Sequence, residues 1–108
     1  MQISLPESVC HAIEHVYTRV SGRCRVLLFG SRARGEGREG SDVDIALLGT
    51  EPLDWTEFSV LKLEAEDLAW PYRLDLVDLM RAPASFRAMV LKEAIPLDEM
   101  SHGPVFHT

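Results

Sequence analysis

The sequence predicts an α/β (α+β) domain, a small mixed sheet of three to four strands with helices packed against it. Three β-rich apolar runs, Arg25–Phe29, Asp42–Leu48 and Arg73–Leu79, carry that expectation. Between them lie segments whose apolar residues recur at three- and four-residue steps, the period of a helix with one buried face. Glycine and proline mark the joins. At 108 residues the chain has the length of one domain with one modest core.

The elements follow in order. Pro6 suits a first helical turn. Val9, Ala12, Ile13, Val16, Tyr17 and Val20 then form an amphipathic stripe, and Gly22 stops the helix. A buried strand covers about 24–29. Ser31 is a good N-cap, so a short helix is expected at Ser31-Arg32-Ala33-Arg34. Gly35, Gly37 and Gly40 make the next stretch a loop, and the second strand follows at about 42–48. Asp54 and Glu57 have the spacing of a capping box. The helix they open is expected to bury Trp55, Phe58, Leu61, Ala65, Leu68 and Ala69, and Pro71 ends it. The third strand alternates, with Asp75 and Val77 on one face and Leu74, Leu76 and Asp78 on the other. Pro83 opens a last helix through about Ala94, with Phe86, Met89, Val90 and Ala94 spaced for burial. Ile95-Pro96-Leu97 reads as a short edge strand, where proline is tolerated. One domain over 1–98 with a loose tail at 99–108 is the expected organisation.

Composition narrows the function. Eleven basic residues against 17 acidic ones give a formal charge of −6, which opposes a long nucleic-acid footprint. The positive charge is clustered, however. Arg19, Arg23, Arg25, Arg32, Arg34 and Arg38 fall within twenty positions, which suits a small polyanion such as a nucleoside triphosphate. No apolar run approaches the roughly twenty residues that span a bilayer, and no leader pattern opens the chain, so a cytoplasmic protein is expected. Cys10 and Cys24 are expected as reduced thiols. His11 and His15 lie four apart without a third ligand and read as helix-surface residues, and His102 and His107 fall in the tail. Trp55 and Trp70 read as core or partner contacts rather than base-stacking platforms. A homo- or hetero-oligomer is compatible with so small a core.

The chemistry concentrates around Ser41-Asp42-Val43-Asp44-Ile45. Residues i and i+2 of a strand point to one face, so Asp42 and Asp44 point together. Two neighbouring carboxylates repel unless a cation lies between them. A hard divalent ion with oxygen ligands, typically Mg²⁺, is the usual remedy. Asp75 is the preferred third carboxylate, because an unpaired aspartate amid an apolar strand would be costly. Asp78 competes but lies nearer the strand end, where a cap is natural. Gly30 permits close backbone approach to a phosphate. Ser31 at a helix start offers hydroxyl and amide, and Arg32 and Arg34 can reach phosphate oxygens. Clustered carboxylates, a phosphate turn and nearby cations are what nucleotidyl transfer needs.

Gly30-Ser31, ten residues, then Asp42-Val43-Asp44 resembles the signature of the minimal nucleotidyltransferases, within the DNA polymerase β-like superfamily. The stretches Phe29-Gly30-Ser31-Arg32-Ala33-Arg34-Gly35 and Arg73-Leu74-Asp75-Leu76-Val77-Asp78-Leu79 strengthen the match, which spans about residues 8–98. The resemblance implies that Asp42 and Asp44 bind Mg²⁺, two ions in all, and that Asp75 completes the metal site and helps activate a hydroxyl. It implies nucleotide binding at Gly30, Ser31, Arg32, Arg34 and Ser41, with ATP as substrate. It further implies an antitoxin that transfers AMP to a tyrosine hydroxyl of a helical HEPN-type toxin encoded nearby. The alternative is an antitoxin that blocks its partner without catalysis and keeps a vestigial or regulatory nucleotide site.

Overall fold

The computed structural model describes residues 4–37, 42–97 and 105–107. The elements run β1 Ser4–Pro6, α1 Glu7–Val20, β2 Cys24–Phe29, β3 Val43–Gly49, α2 Trp55–Ala69, β4 Leu74–Asp78, α3 Ala84–Glu93, β5 Ile95–Pro96 and β6 Val105–His107. The main sheet has the order β4-β3-β2-β5. β3 lies antiparallel to β2 and parallel to β4, and β5 closes the other edge antiparallel to β2. The mixed sheet of four strands with helices on it is the predicted class.

Strand alternation sends side chains to two layers. Val26, Leu28, Val43, Ile45, Leu47, Leu74 and Leu76 pack with the buried faces of α1 and α2 in the main core. Leu27, Phe29, Ala46 and Leu79 meet Val90 of α3 in a smaller cluster. Each fully buried Leu, Ile or Val contributes roughly 1.5–3 kcal/mol of apolar burial. The α1 stripe is as expected: Val9, Cys10, Ala12, Ile13, Val16 and Val20 are buried. Cys10 and Cys24 are free thiols, and burial pushes the Cys10 thiol up to about 11. Among the described residues no helix is long and apolar enough to cross a membrane.

Several expectations are corrected. The segment after Ser31 is a run of turns, not a helix. Gly30 O accepts the N–H groups of Ala33 and Arg34 at 3.1 and 3.2 Å, and Ser31 O accepts that of Glu36 at 2.9 Å. Gly35, at φ +75°, ends the winding before a second turn can form. On α2, Phe58, Leu61, Ala65 and Ala69 are buried, but Trp55 and Leu68 face solvent. Those two lie at the margins of the helix stripe. On α3 only Val90 is buried within the helix, and Met89 is exposed. Phe86 is half-buried and meets Phe29 edge-on, with centroids 6.1 Å apart. Of the expected tail only residues 105–107 are described, and Val105–His107 pairs in parallel with Ser4–Pro6.

The α2 cap forms as the spacing implies, with Asp54 Oδ2 accepting the Glu57 N–H at 3.1 Å. The Glu57 carboxylate does not fold back onto the cap. It takes the Arg23 guanidinium at 2.7 and 2.9 Å. His15 does not simply face water, because its Nε2 meets Glu64 Oε1 at 2.9 Å and ties α1 to α2.

Candidate active site

Two adjacent strands, β3 and β4, carry the carboxylates, and β2 sets Gly30 beside them. In register, Phe29 of β2 faces Asp44 of β3, and Asp44 faces Asp75 of β4. Neighbouring strands lie about 4.8 Å apart, so Asp44 and Asp75 share a face at close range. Asp42, just before β3, shares the parity of Asp44. Gly30 follows Phe29 and abuts Asp44 from the other side. It has φ +78°, and a Cβ there would run into Asp44 Oδ2. A glycine is thus required twice, for backbone conformation and for contact. The lateral order across the sheet is Gly30, Asp44, Asp75.

The electrostatics match that crowding. Burial raises the Asp44 carboxyl above its ordinary value; Asp75, Asp42 and Glu93 add to the rise, and Arg34 opposes it. A half-buried carboxylate pressed by like charges fits a hard divalent cation with oxygen ligands. Among the described residues, no three acidic, His or Cys side chains already stand close enough to hold an ion. Two of the three aspartates meet cations of the chain instead. Asp75 Oδ1 takes Lys62 Nζ at 3.0 Å, and Asp42 Oδ1 lies 3.8 Å from Arg73 Nε. Asp75 is exposed rather than amid apolar neighbours.

Asp78 has the other role. It is 4% exposed and accepts the Leu53 N–H at 2.9 Å and the Met80 N–H at 3.1 Å. It holds the loop before α2 onto the end of β4. Its parity, opposite to Asp75, turns it away from Asp44.

On the Gly30 side the expected phosphate ligands already carry an anion. Glu93, at the end of α3, accepts the Gly30 N–H on Oε1 at 3.2 Å. Its Oε2 takes Arg34 Nη1 at 2.8 Å, and Arg34 Nε reaches Glu36 at 3.0 Å. The Arg34 hydrogen bond, with the Gly30 amide behind it, holds the Glu93 carboxyl below its usual range. Ser31 and Arg32 are half-buried in the same turn. Ser41 and Arg38 lie outside the described residues.

Two residues escaped the sequence reading. Lys62 bonds Asp75, Glu66 Oε1 at 3.3 Å and Leu76 O at 3.3 Å. Burial lowers its pKa, but Asp75 and Glu66 together outweigh that and raise it. Glu93 is the second. Both reach the site across the fold, and neither forms a local motif.

The fold and this carboxylate row define a nucleotidyltransferase domain. The family model "Polymerase beta, Nucleotidyltransferase" matches residues 15–102, and the chain belongs to that family. It is 34% identical over 74 residues to the Haemophilus influenzae protein named "Probable protein adenylyltransferase MntA", covering 68% of this chain and 65% of that one. It therefore matches just under two thirds of that relative's length. A solved structure assigned to the minimal nucleotidyltransferases is 39% identical, with TM-score 0.62, covering 81% of this chain and 87% of that one. A crystal structure of a toxin–antitoxin with AMP-PNP is similar at 26% identity and TM-score 0.66, covering 85% of this chain and 74% of that one.

Proposed function

We propose that the chain is a Mg²⁺-dependent nucleotidyltransferase that moves AMP from ATP to a hydroxyl, that of a tyrosine, on a HEPN-type partner toxin, and so acts as an antitoxin. The carrying observation is the register of Asp44 with Asp75 beside a Gly30 that touches Asp44. The named adenylyltransferase relative and the similar toxin–antitoxin with an ATP analogue support the same reading.

In the reaction the acceptor oxygen bonds to the α-phosphorus, the bond to pyrophosphate breaks, and the hydroxyl proton leaves. Gly30 and Ser31 would bring backbone amides to the phosphates, with Arg34 against their charge. Glu93 would hold that turn and Arg34 in place before the nucleotide arrives. Asp42, Asp44 and Asp75 would hold Mg²⁺, which when bound neutralises triphosphate charge and acidifies the hydroxyl. Asp75, at the outer end of the row, would receive the proton once it leaves Lys62.

Incubation with α-labelled ATP and the protein that co-purifies with the chain tests this. Label is expected on the partner, lost with Asp42→Ala/Asp44→Ala and on chelation of Mg²⁺. A partner that stays unlabelled with every common nucleotide overturns it.

A second reading has its own support. Arg34 and Asp75 already have partners within the chain, Glu93 with Glu36 and Lys62 respectively. A blocking antitoxin with a regulatory nucleotide site would look the same. It predicts that Asp42→Ala/Asp44→Ala still neutralises the partner fully.

A further inference from the structure

A cavity of about 470 Å³ opens beside the outer end of the carboxylate row, lined by Asp42, Glu66, Trp70, Tyr72, Arg73 and Asp75. We infer that this cleft receives the acceptor segment of the partner protein, and that Trp70 and Arg73 select it. The inference rests on the adenylyl-transfer reading and names the acceptor's side of the same site.

In-line geometry carries the first step. The attacking and leaving oxygens stand roughly opposite each other across the transferred phosphorus. The Gly30 turn holds the leaving pyrophosphate on the β2 side of Asp44. The attacking hydroxyl must then approach from the opposite side, past Asp75 on β4. The cleft lies there, with Asp75 in its wall. The new bond joins the acceptor oxygen to the α-phosphorus, the pyrophosphate leaves toward Gly30, and the proton passes to Asp75.

Charge carries the second step. Three carboxylates, Asp42, Glu66 and Asp75, line the cleft with Arg73, and Lys62 Nζ meets Glu66 and Asp75 at 3.3 and 3.0 Å, so the balance there is one negative charge. That balance suits a neutral or basic segment better than a free polyphosphate tail. Arg73 is held loosely. Its side chain is 86% exposed and its contact with Asp42 is long, so it can swing to an incoming chain.

The surface around the cleft points to a protein rather than a nucleoside. Leu63 and Trp70 are 67% and 77% exposed, and their seven-residue spacing puts them on one outward face of α2 and its end. Of the two, Trp70 also lines the cleft. A nucleobase would cover Trp70 alone, whereas a partner seated on the end of α2 would cover Leu63 and Trp70 together and place one hydroxyl residue in the cleft. Exposed tryptophan and arginine are the residue types that dominate such contacts.

Transfer kinetics on Trp70→Ala and Arg73→Gln decide it, with α-labelled ATP and the protein that wild type labels. Both side chains are exposed, and the Arg73 carbonyl bond to Val43 N survives substitution. The KM for the acceptor should rise about tenfold, which is about 1.4 kcal/mol of lost contact. The KM for ATP should stay unchanged, and Trp70→Tyr should recover most of the loss. If the KM for ATP rises instead, the cleft holds the base and the inference fails. Unchanged kinetics for both substrates overturn it too. A wild-type chain that labels nothing sinks the adenylyl-transfer reading itself, and the inference with it.

Discussion

Gly30→Ala and Gly22→Ala form a matched pair that tests the geometry of the carboxylate row. Both glycines sit in the left-handed region, at φ +78° and +84°. A side chain there costs roughly 1–2 kcal/mol in either case. For a domain of this size each kcal/mol lowers the melting temperature by about 4–8 °C, so both variants should lose about 5–15 °C. They part at the Cβ. At Gly22 it meets nothing within 4 Å, whereas at Gly30 it runs into the Asp44 carboxylate. Asp44 must then turn to another rotamer, roughly 0.5–1.5 kcal/mol more if it is forced off a staggered well. Its oxygens also move by about an ångström, a displacement that costs on the order of 10²-fold in rate. Thermal melts and labelled-ATP transfer at a temperature where both variants are folded give the two readouts. Gly22→Ala should keep wild-type activity and Gly30→Ala should lose about two orders of magnitude. Equal activity in the two variants would falsify the placement of Asp44 against the phosphate turn.

Three further outcomes are expected. Asp78→Ala should destabilise by about 2–4 kcal/mol in urea titration, because two amides lose their acceptor, while its folded fraction keeps its Mg²⁺ dependence. Asp44→Asn should melt higher than wild type at neutral pH without metal, and be inactive. The folded Asp44 carboxyl binds its proton more tightly than the unfolded one, so wild type loses stability as pH rises from the unfolded carboxylate value through the raised one. Asparagine carries no such loss, and saturating Mg²⁺ should erase the difference. Asp54→Ala should cost about 1 kcal/mol through the lost cap on α2, read as a lower melting temperature at unchanged activity.

Much of the site was legible because its signals are local. Strand parity set Asp42 with Asp44 and separated Asp75 from Asp78 before any fold was known. The spacing of Asp54 and Glu57 announced the start of α2. Other features depend on residues distant in sequence. The turn after Ser31 looked helical by local propensity, but Gly35 halts it and Glu93 of α3 binds its amide. Trp55 fitted the helical stripe, yet it lies at the stripe's margin under Arg81, whose guanidinium stands 5.2 Å from the ring centroid.

The sequence by itself determined the strands of the main sheet, the paired aspartates and the Gly-Ser turn, since these follow from apolar runs, two-residue parity and glycine's conformational range. The tertiary structure decided what each of them meets. Sheet order set Asp44 between Gly30 and Asp75, and parallel pairing of β3 with β4 brought two carboxylates into one register. Packing of α2 and α3 then supplied Lys62 and Glu93, whose contacts with Asp75 and Gly30 cross 13 and 63 residues of chain. Such contacts arise from the packing of whole elements, and no local pattern encodes them.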